Sequence, residues 1–283
     1  MLQPAEPADP LKPFVRKYVQ LDVSATDLWP VPARSVACIE FTFGEPYRIH
    51  HLDGSLVETT YPAILIGAKT HNRIRLELRG RVETFAVFFQ TTGLQRLFSL
   101  PGNLVVDEHY EARTVLGASM TSLYLQLAEA KSFCKRVQIA NGYFARQIPR
   151  AYGDRILDAA VRDVIWRQGR IRISQLVSLT GIGLRQLERQ FVHDLGMGPK
   201  MYARIVRFEA AMQKKASFPD LDWTQIAHQL EYHDQMHMIH DFQSLSGESP
   251  TSLARYLDLL SSPAAQTSGR PDPQNQNDSP GSW

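Results

Sequence analysis

Long hydrogen-bonding side chains concentrated in one short stretch are the sequence's clearest chemical feature. In Leu184 to Leu195 (LRQLERQFVHDL) the apolar Leu184, Leu187 and Phe191 recur at helical spacing, which leaves Arg185, Gln186 and Arg189 on the other side. Arginine can donate bidentately to guanine O6 and N7, and glutamine can pair with adenine N6 and N7. A helix of this kind has one face to pack and another to present. Further along, Asp234 precedes a second helix with Met238, Ile239 and Phe242 on its apolar side, and Gln235, Met236, His237 and His240 are its candidates for contact. Lys200 and Arg204 lie on the helix expected between the two and supply positive charge for phosphate.

Histidines are the next groups to weigh. His237 and His240 stand three apart on a helix, yet no H-E-x-x-H motif surrounds them and no cysteine is near. A solvated or base-facing role is favoured over a metal. His50, His51 and His71 raise a cupin-like metal site, but the His-x-His and glutamate array in glycine-flanked strands is missing. Glu40 is the acidic residue in an apolar strand, either a lumen group that recognises an effector or, the favoured reading, a solvent-facing one. Glu40 and His71 are the candidate effector-binding residues. Neither a nucleophile elbow, a P-loop nor a dinucleotide fingerprint occurs, so no enzymatic activity, metal or cofactor is expected.

These residues belong to a chain of 283, long enough for two domains that each bury a core. Its 43% hydrophobic content is that of a globular protein, and no run reaches the roughly 18 apolar residues of a membrane span. Two cysteines, Cys38 and Cys134, are too few for a disulfide framework and read as packing residues. The start lacks a charged region followed by an apolar one, so the cytoplasm is the expected compartment. The formal net charge of +2 hides an uneven distribution. From Arg162 to Arg189 six arginines face two acids, and from Gly196 to Ser217 five bases face Glu209 alone. From Phe218 to Ser261 the sign reverses, with seven acids against Arg255.

Along the chain, residues 1 to about 35 are proline-rich with one amphipathic stretch, Leu11 to Leu21. Strands are expected at Val36–Phe43, Tyr47–His51, Leu56–Thr60, Ile64–Ala68, Ile74–Leu78 and Val82–Phe89, separated by turn residues such as Asp53-Gly54 and Gly80. Val36–Phe43 alternates, with Ala37, Ile39, Phe41 and Phe43 on one face and Val36, Cys38, Glu40 and Thr42 on the other. The period then lengthens, predicting helices over Thr114–Glu129 and Ser132–Gln147 whose apolar stripes suit a core better than a dimer interface. Pro149–Gly153 reads as a linker, and Ser261–Trp283 as a disordered tail.

Between linker and tail the pattern is helical throughout. An amphipathic helix over Asp154–Gln168 leads to a short helix with Ser174 as N-cap and Leu176, Val177 and Leu179 inward. Thr180-Gly181-Ile182-Gly183 then turns the chain into Leu184–Leu195, where Gly196 stops it. Pro199–Lys215 is long enough to be a spacer, after which Trp223–Leu230, a turn at Glu231-Tyr232-His233 and the helix capped by Asp234 repeat the design. Each unit ends with phenylalanine, seven residues and proline: Phe191 to Pro199, then Phe242 to Pro250.

Residues 154 to 258, above all ISQLVSLTGIGLRQLERQFVHDLGMGPK (Ile173–Lys200) and WTQIAHQLEYHDQMHMIHDFQSLSGESP (Trp223–Pro250), resemble the DNA-binding domain of the AraC/XylS family. The resemblance implies two recognition helices entering successive major grooves, about 10 bp apart. In the second unit Glu231 stands where the family usually has glycine, and His240 where an arginine often sits. Its acids make it a poor surface for phosphate, so the first unit should supply most of the affinity. The N-terminal region resembles the uncharacterised N-terminal domains of some AraC-like regulators through LKPFVRKY (Leu11–Tyr18), CIEFTF (Cys38–Phe43), IGAKT (Ile66–Thr70) and the strand from Gly80 to Phe89.

The expected fold is therefore α+β. An antiparallel β barrel or sandwich with helices (1–150, sensing or dimerisation) precedes an all-α domain of two helix-turn-helix units joined by a long helix (151–260) and a tail (261–283). The expected function is sequence-specific regulation of transcription. Double-stranded DNA is the main partner, with RNA polymerase, a small-molecule effector and a second copy of the chain as further ones and no membrane. The rival reading is a cupin-like metal enzyme or sensor fused to a helical protein-interaction module.

Overall fold

The computed structural model describes residues 2–54, 57–148 and 156–261, so the expected linker, the start of the Asp154 helix and the tail beyond Ser261 lie outside the described residues. The strands are β1 (Leu2–Ala5), β2 (Val15–Pro30), β3 (Cys38–Thr42), β4 (Arg48–His51), β5 (Val57–Thr59), β6 (Ala63–Ile66), β7 (Ile74–Phe89) and β8 (His109–Glu111). They form one antiparallel sheet in the order β1-β2-β7-β3-β6-β8, and β4 pairs with both β5 and β7.

The two long strands set the frame. β2 pairs with β7 from Val15 opposite Phe89 to Pro30 opposite Arg75. On its other edge β7 pairs with β4 through its first residues and with β3 through its last. The turn expected at Gly80 does not form. Gly80 takes φ +76° and stays in register opposite Ala25, so one strand replaces the two expected. The period of two survives it: Ile74, Leu78 and Val82 enter one core, and Phe85, Val87 and Phe89 the opposite one.

Both faces of β3 are thus covered. Ile39 and Phe41 pack with Tyr18, Phe85 and Phe144 under the helices, while Cys38 and Thr42 on the expected polar face are also buried. The strands bend over that second face and bring Tyr47, Ile49 and Ile64 to it, which a solvent-exposed reading of the alternation does not anticipate. β1, β2 and β8 are unexpected strands, as pairing with β7 and β6 outweighs weak local patterning.

Helices α1 (Gly93–Phe98), α2 (Ala112–Leu116), α3 (Ser119–Glu129) and α4 (Phe133–Ala145) close the first face. Gly117, at φ +93°, splits the single helix expected over Thr114–Glu129 into α2 and α3. Met120, Leu123, Leu127, Ala140 and Phe144 are buried, whereas Cys134, expected to pack, is exposed on α4. Buried Arg136 locks α4 to the sheet through Glu83 Oε1 (2.6 Å) and Gln20 Oε1 (2.8 Å).

The remaining helices are α5 (Ile156–Trp166), α6 (Ile173–Thr180), α7 (Leu184–Leu195), α8 (Pro199–Ser217), α9 (Trp223–Gln229), α10 (Gln235–Ser246) and α11 (Pro250–Ser261). They share one core, in which Leu176, Leu187 and Phe191 are continuous with Ile226, Met238 and Phe242. α8 is more than a spacer. Its Tyr202 meets Phe191 edge-on at 5.9 Å and its Phe208 meets Phe242 at 4.7 Å, so both units pack on one helix.

Candidate nucleic-acid interface

In the first unit, α6 ends at Gly181 in the left-handed region (φ +68°), and Gly183 precedes α7. The N-cap of α6 is Arg172, whose N–H donates to the Gln175 side chain at 3.0 Å; Ser174, the expected cap, sits inside the first turn. Leu187 and Phe191 are fully buried, which fixes the rotation of α7 and leaves Arg185, Gln186 and Arg189 exposed on its outer face. Leu184 is 47% exposed at the start of that face and Leu179 is exposed on α6, both against expectation. The first turn of α7 opens outward before the helix reaches the core.

The second unit repeats the layout with different capping. Asp234 Oδ1 accepts the His237 N–H at 2.7 Å and its other oxygen lies 3.0 Å from His233 Nδ1. The backbone bond from His237, with the His233 contact, holds the Asp234 carboxyl below its ordinary range. Its negative charge rests on the positive end of α10. Met238, Phe242 and Leu245 point inward; Gln235, Met236, His237 and His240 are exposed. His237 is partly committed, its ring edge-on to Tyr232 at 5.4 Å. Glu231, in place of the usual glycine, adopts φ +55° and sits 3.5 Å from Arg170.

Of the two bases expected on α8, Lys200 is exposed. Arg204 is half-buried, and its Nε donates to Asp241 Oδ1 at 2.7 Å, with Asp241 only 6% exposed. Arg204 thus binds α8 to α10, and one of the acids counted against the second unit is paired beneath the surface. Other bases are engaged likewise, Arg167 with Asp163 (2.9 Å) and Lys215 with two carbonyls. Residues overlooked in the sequence are Arg172, exposed at the start of α6, and Gln243 and Ser244, exposed on α10. Gln243 lies one turn on from His240, so the helical spacing itself could have found it.

The proposed effector residues separate. Glu40 accepts from Tyr47 Oη at 2.5 Å in the covered face of the sheet, where burial pushes both its carboxyl and the Tyr47 phenol up. It is half-buried rather than solvent-facing. His71 instead lines a cavity of about 470 Å³ with His51, Lys69, Arg73 and His109, and Glu40 is not part of that lining. His50 pairs with Glu77, while Glu58 bridges His51 and His109. Among the described residues no group of three or more His, Cys, Asp or Glu is placed to hold a metal ion.

A family model described as a helix-turn-helix domain matches residues 176–256, from α6 into α11. This segment is a helix-turn-helix domain of the AraC type. The AraC-type domain takes in both outward faces and the shared helix between them. Across the whole chain the fold is similar to that of ToxT from Vibrio cholerae O395, at 13% identity and TM-score 0.50, covering 88% of this chain and 98% of that one. An apo ToxT variant from strain SCE256 gives 12% identity and TM-score 0.52 over 89% and 100% of the two chains. ToxT of O395 bound to (E)-4-(8-methylnaphthalen-1-yl)but-3-enoic acid gives 10% and 0.50 over 92% and 99%. Comparison with curated proteins gave no match. The similarity in fold thus spans most of both chains.

Proposed function

We propose that the protein regulates transcription by reading two successive major grooves, with the stronger contact made by α7. The observation that carries this is the outer face of α7: Arg185, Gln186 and Arg189 exposed together, back to back with fully buried Leu187 and Phe191. α10 supplies the second contact through Gln235, Met236 and His240, with His237 shared between DNA and Tyr232. Lys200 joins them on phosphate, and Arg172 at the start of α6 is a further phosphate contact. Residues 1–150 are assigned to sensing, with an organic effector as ligand, in line with the acid carried by one ToxT structure of the same fold. A second copy of the chain and RNA polymerase are the further partners, and the cytoplasm is the compartment; no described helix is long and apolar enough to cross a membrane.

The test is selection of bound sequences from a random DNA pool by the full chain, followed by salt titration on the winner. A bipartite motif with half-sites about one helical turn apart is expected, with affinity falling steeply with salt. Recovery of unselected sequence, or salt-independent binding, would leave the helical half as a protein-interaction module.

A further inference from the structure

Gln235, Met236 and His237 form the first turn of α10, and all three are exposed. Recognition helices meet base edges with their N-terminal residues, so this turn decides what the second half-site can be. A glutamine amide carries two N–H donors and a carbonyl acceptor, and by default it pairs with adenine, which offers one group of each kind. Gln235 is not left to that default. Thr224 Oγ1, in the first turn of α9, donates to Gln235 Oε1 at 3.1 Å. The bond turns the carbonyl back towards α9. The Nε2 amino group, on the other side of the planar amide, then faces away from it.

His237 is held in the same sense. The His233 backbone N–H donates to its Nδ1 at 3.4 Å, which leaves Nε2 as the nitrogen that carries the ring proton. The carboxylates nearest the turn are engaged within the protein. One oxygen of Asp234 accepts the His237 N–H and the other lies against His233, Asp222 caps α9 through Gln225 N at 2.7 Å, and Asp241 is buried against Arg204. Met236, between the two polar residues, is apolar and 56% exposed. The polar groups that this turn turns outward are therefore donors.

Donors select by what they exclude. In the major groove guanine presents two acceptors, O6 and N7, whereas adenine sets its N6 amino group beside N7 and cytosine presents an amino group alone. One amino group can span guanine O6 and N7, as a lysine ammonium does, but would meet adenine N6 donor to donor. We propose that Thr224 is a positioning residue that makes Gln235 a donor, so that the second half-site carries guanine in place of adenine at that position. This assignment rests on the reading of α10 as a DNA contact and adds its base preference.

The test repeats the selection from a random DNA pool with the full chain and with three variants, read position by position. Gln235→Ala marks the position in question, the one whose preference disappears. There the wild type should hold guanine, with adenine weaker by about fivefold or more, the low end for a bidentate contact. Replacing that guanine by 7-deazaguanine, which lacks the N7 acceptor, should weaken wild-type binding and leave Gln235→Ala unchanged. Thr224→Val keeps the shape and removes the hydroxyl, so guanine and adenine should approach parity. Thr224→Ser restores the donor and should restore the preference. Another base in the wild type, a guanine preference that Thr224→Val leaves intact, or a loss in Thr224→Val that is equal for all four bases overturns the assignment while a selected motif still supports the regulator reading. So does a Gln235→Ala variant that alters no position. If the chain selects no motif at all, the regulator reading fails and this assignment falls with it.

Discussion

Arg204 Nε and Asp241 Oδ1 lie 2.7 Å apart, joining α8 to α10 beneath the surface that faces outward on the second unit. The pair explains how an acidic residue can sit within the helix proposed to make the second DNA contact: its charge is directed inward. Breaking a buried pair from one side leaves the partner uncompensated, at a cost of about 3–5 kcal/mol, moderated here because Arg204 is 32% exposed. Arg204→Ala should therefore lower unfolding stability by about 2–4 kcal/mol in urea titrations. Its log K against log[salt] slope should match that of the wild type. A shallower slope with unchanged stability would return Arg204 to the phosphate contacts.

Arg185→Ala and Arg189→Ala should do the opposite. Each is expected to cost about 1–3 kcal/mol in specific binding if it reaches a base edge, and to change stability by less than about 0.5 kcal/mol. Alanine at Gln235, Met236 or His240 should cost less. Quantitative binding assays on the selected site decide the order, and a larger loss on α10 would reverse the assignment of the main contact.

The contrast between Arg204 and Arg185 also marks where the sequence is legible. Helical spacing places Arg185 outside and Leu187 inside, because a single amphipathic helix reveals its own inner face. Arg204 depends on which helix crosses α8, a tertiary fact with no local signature. The same limit explains β2, whose long pairing with β7 is invisible in a proline-rich segment. It explains Gly80 too, where a turn signal is absorbed as a local irregularity in a strand held on its partner. Glycines at Gly181 and Gly196 were readable because left-handed helix ends need them locally. The cavity at Lys69 was half visible: His71 stood out, but the lysine is set apart only by its burial.

Gly181 and Gly196 form a matched test of local strain against packing. Both have positive φ, +68° and +76°. A Cβ at Gly181 meets nothing within 4 Å, whereas one at Gly196 would lie 2.4 Å from Val106 Cβ and 2.7 Å from the Gly102 carbonyl oxygen. Gly181→Ala should cost about 1 kcal/mol, the price of the conformation alone. Gly196→Ala should cost more, about 2–4 kcal/mol, since it also displaces the 102–106 segment from the end of α7. Equal losses in thermal or chemical unfolding would mean that the contact yields freely.

Glu40 supplies a pH signature. Burial raises its folded pKa above the unfolded value, so the carboxyl contributes most when protonated. That contribution is fully present below the ordinary carboxylate range and is lost as pH rises through the raised folded value. Glu40→Gln keeps a neutral polar group opposite Tyr47 at every pH. Relative to wild type, the variant should gain stability steadily from acid to neutral pH. A wild-type-minus-variant difference that stays flat over that range would mean that Tyr47 holds the carboxylate charged without penalty.

The last prediction concerns the division of the chain. The helical half contacts the β-rich half through buried or half-buried acids: Thr92 donates to Asp158 at 2.5 Å, Gln95 to Asp194 at 2.7 Å, and Ser35 to Glu209 through both N (2.9 Å) and Oγ (2.6 Å). Removing residues 1–150 exposes these carboxylates to water rather than stranding them in a dry interior, so the usual penalty for an unsatisfied buried group does not apply. Among the described residues, the shared core of α5 to α11 takes Ala33 and Ala68 from the other half as buried members, with partly buried Val106 packed against it, and all three are modest in size. A 151–260 fragment should therefore fold cooperatively, with a lower midpoint than the full chain, and should retain binding to the selected DNA. Loss of the Ala33–Leu245 and Asn72–Ser246 bonds would free the end of α10, so the affinity lost should fall chiefly on the second half-site. Half-site substitutions in the DNA measure this directly. A fragment that is unfolded, or that loses both half-sites equally, would show that the two halves form one folding unit and that the boundary near residue 150 is misplaced.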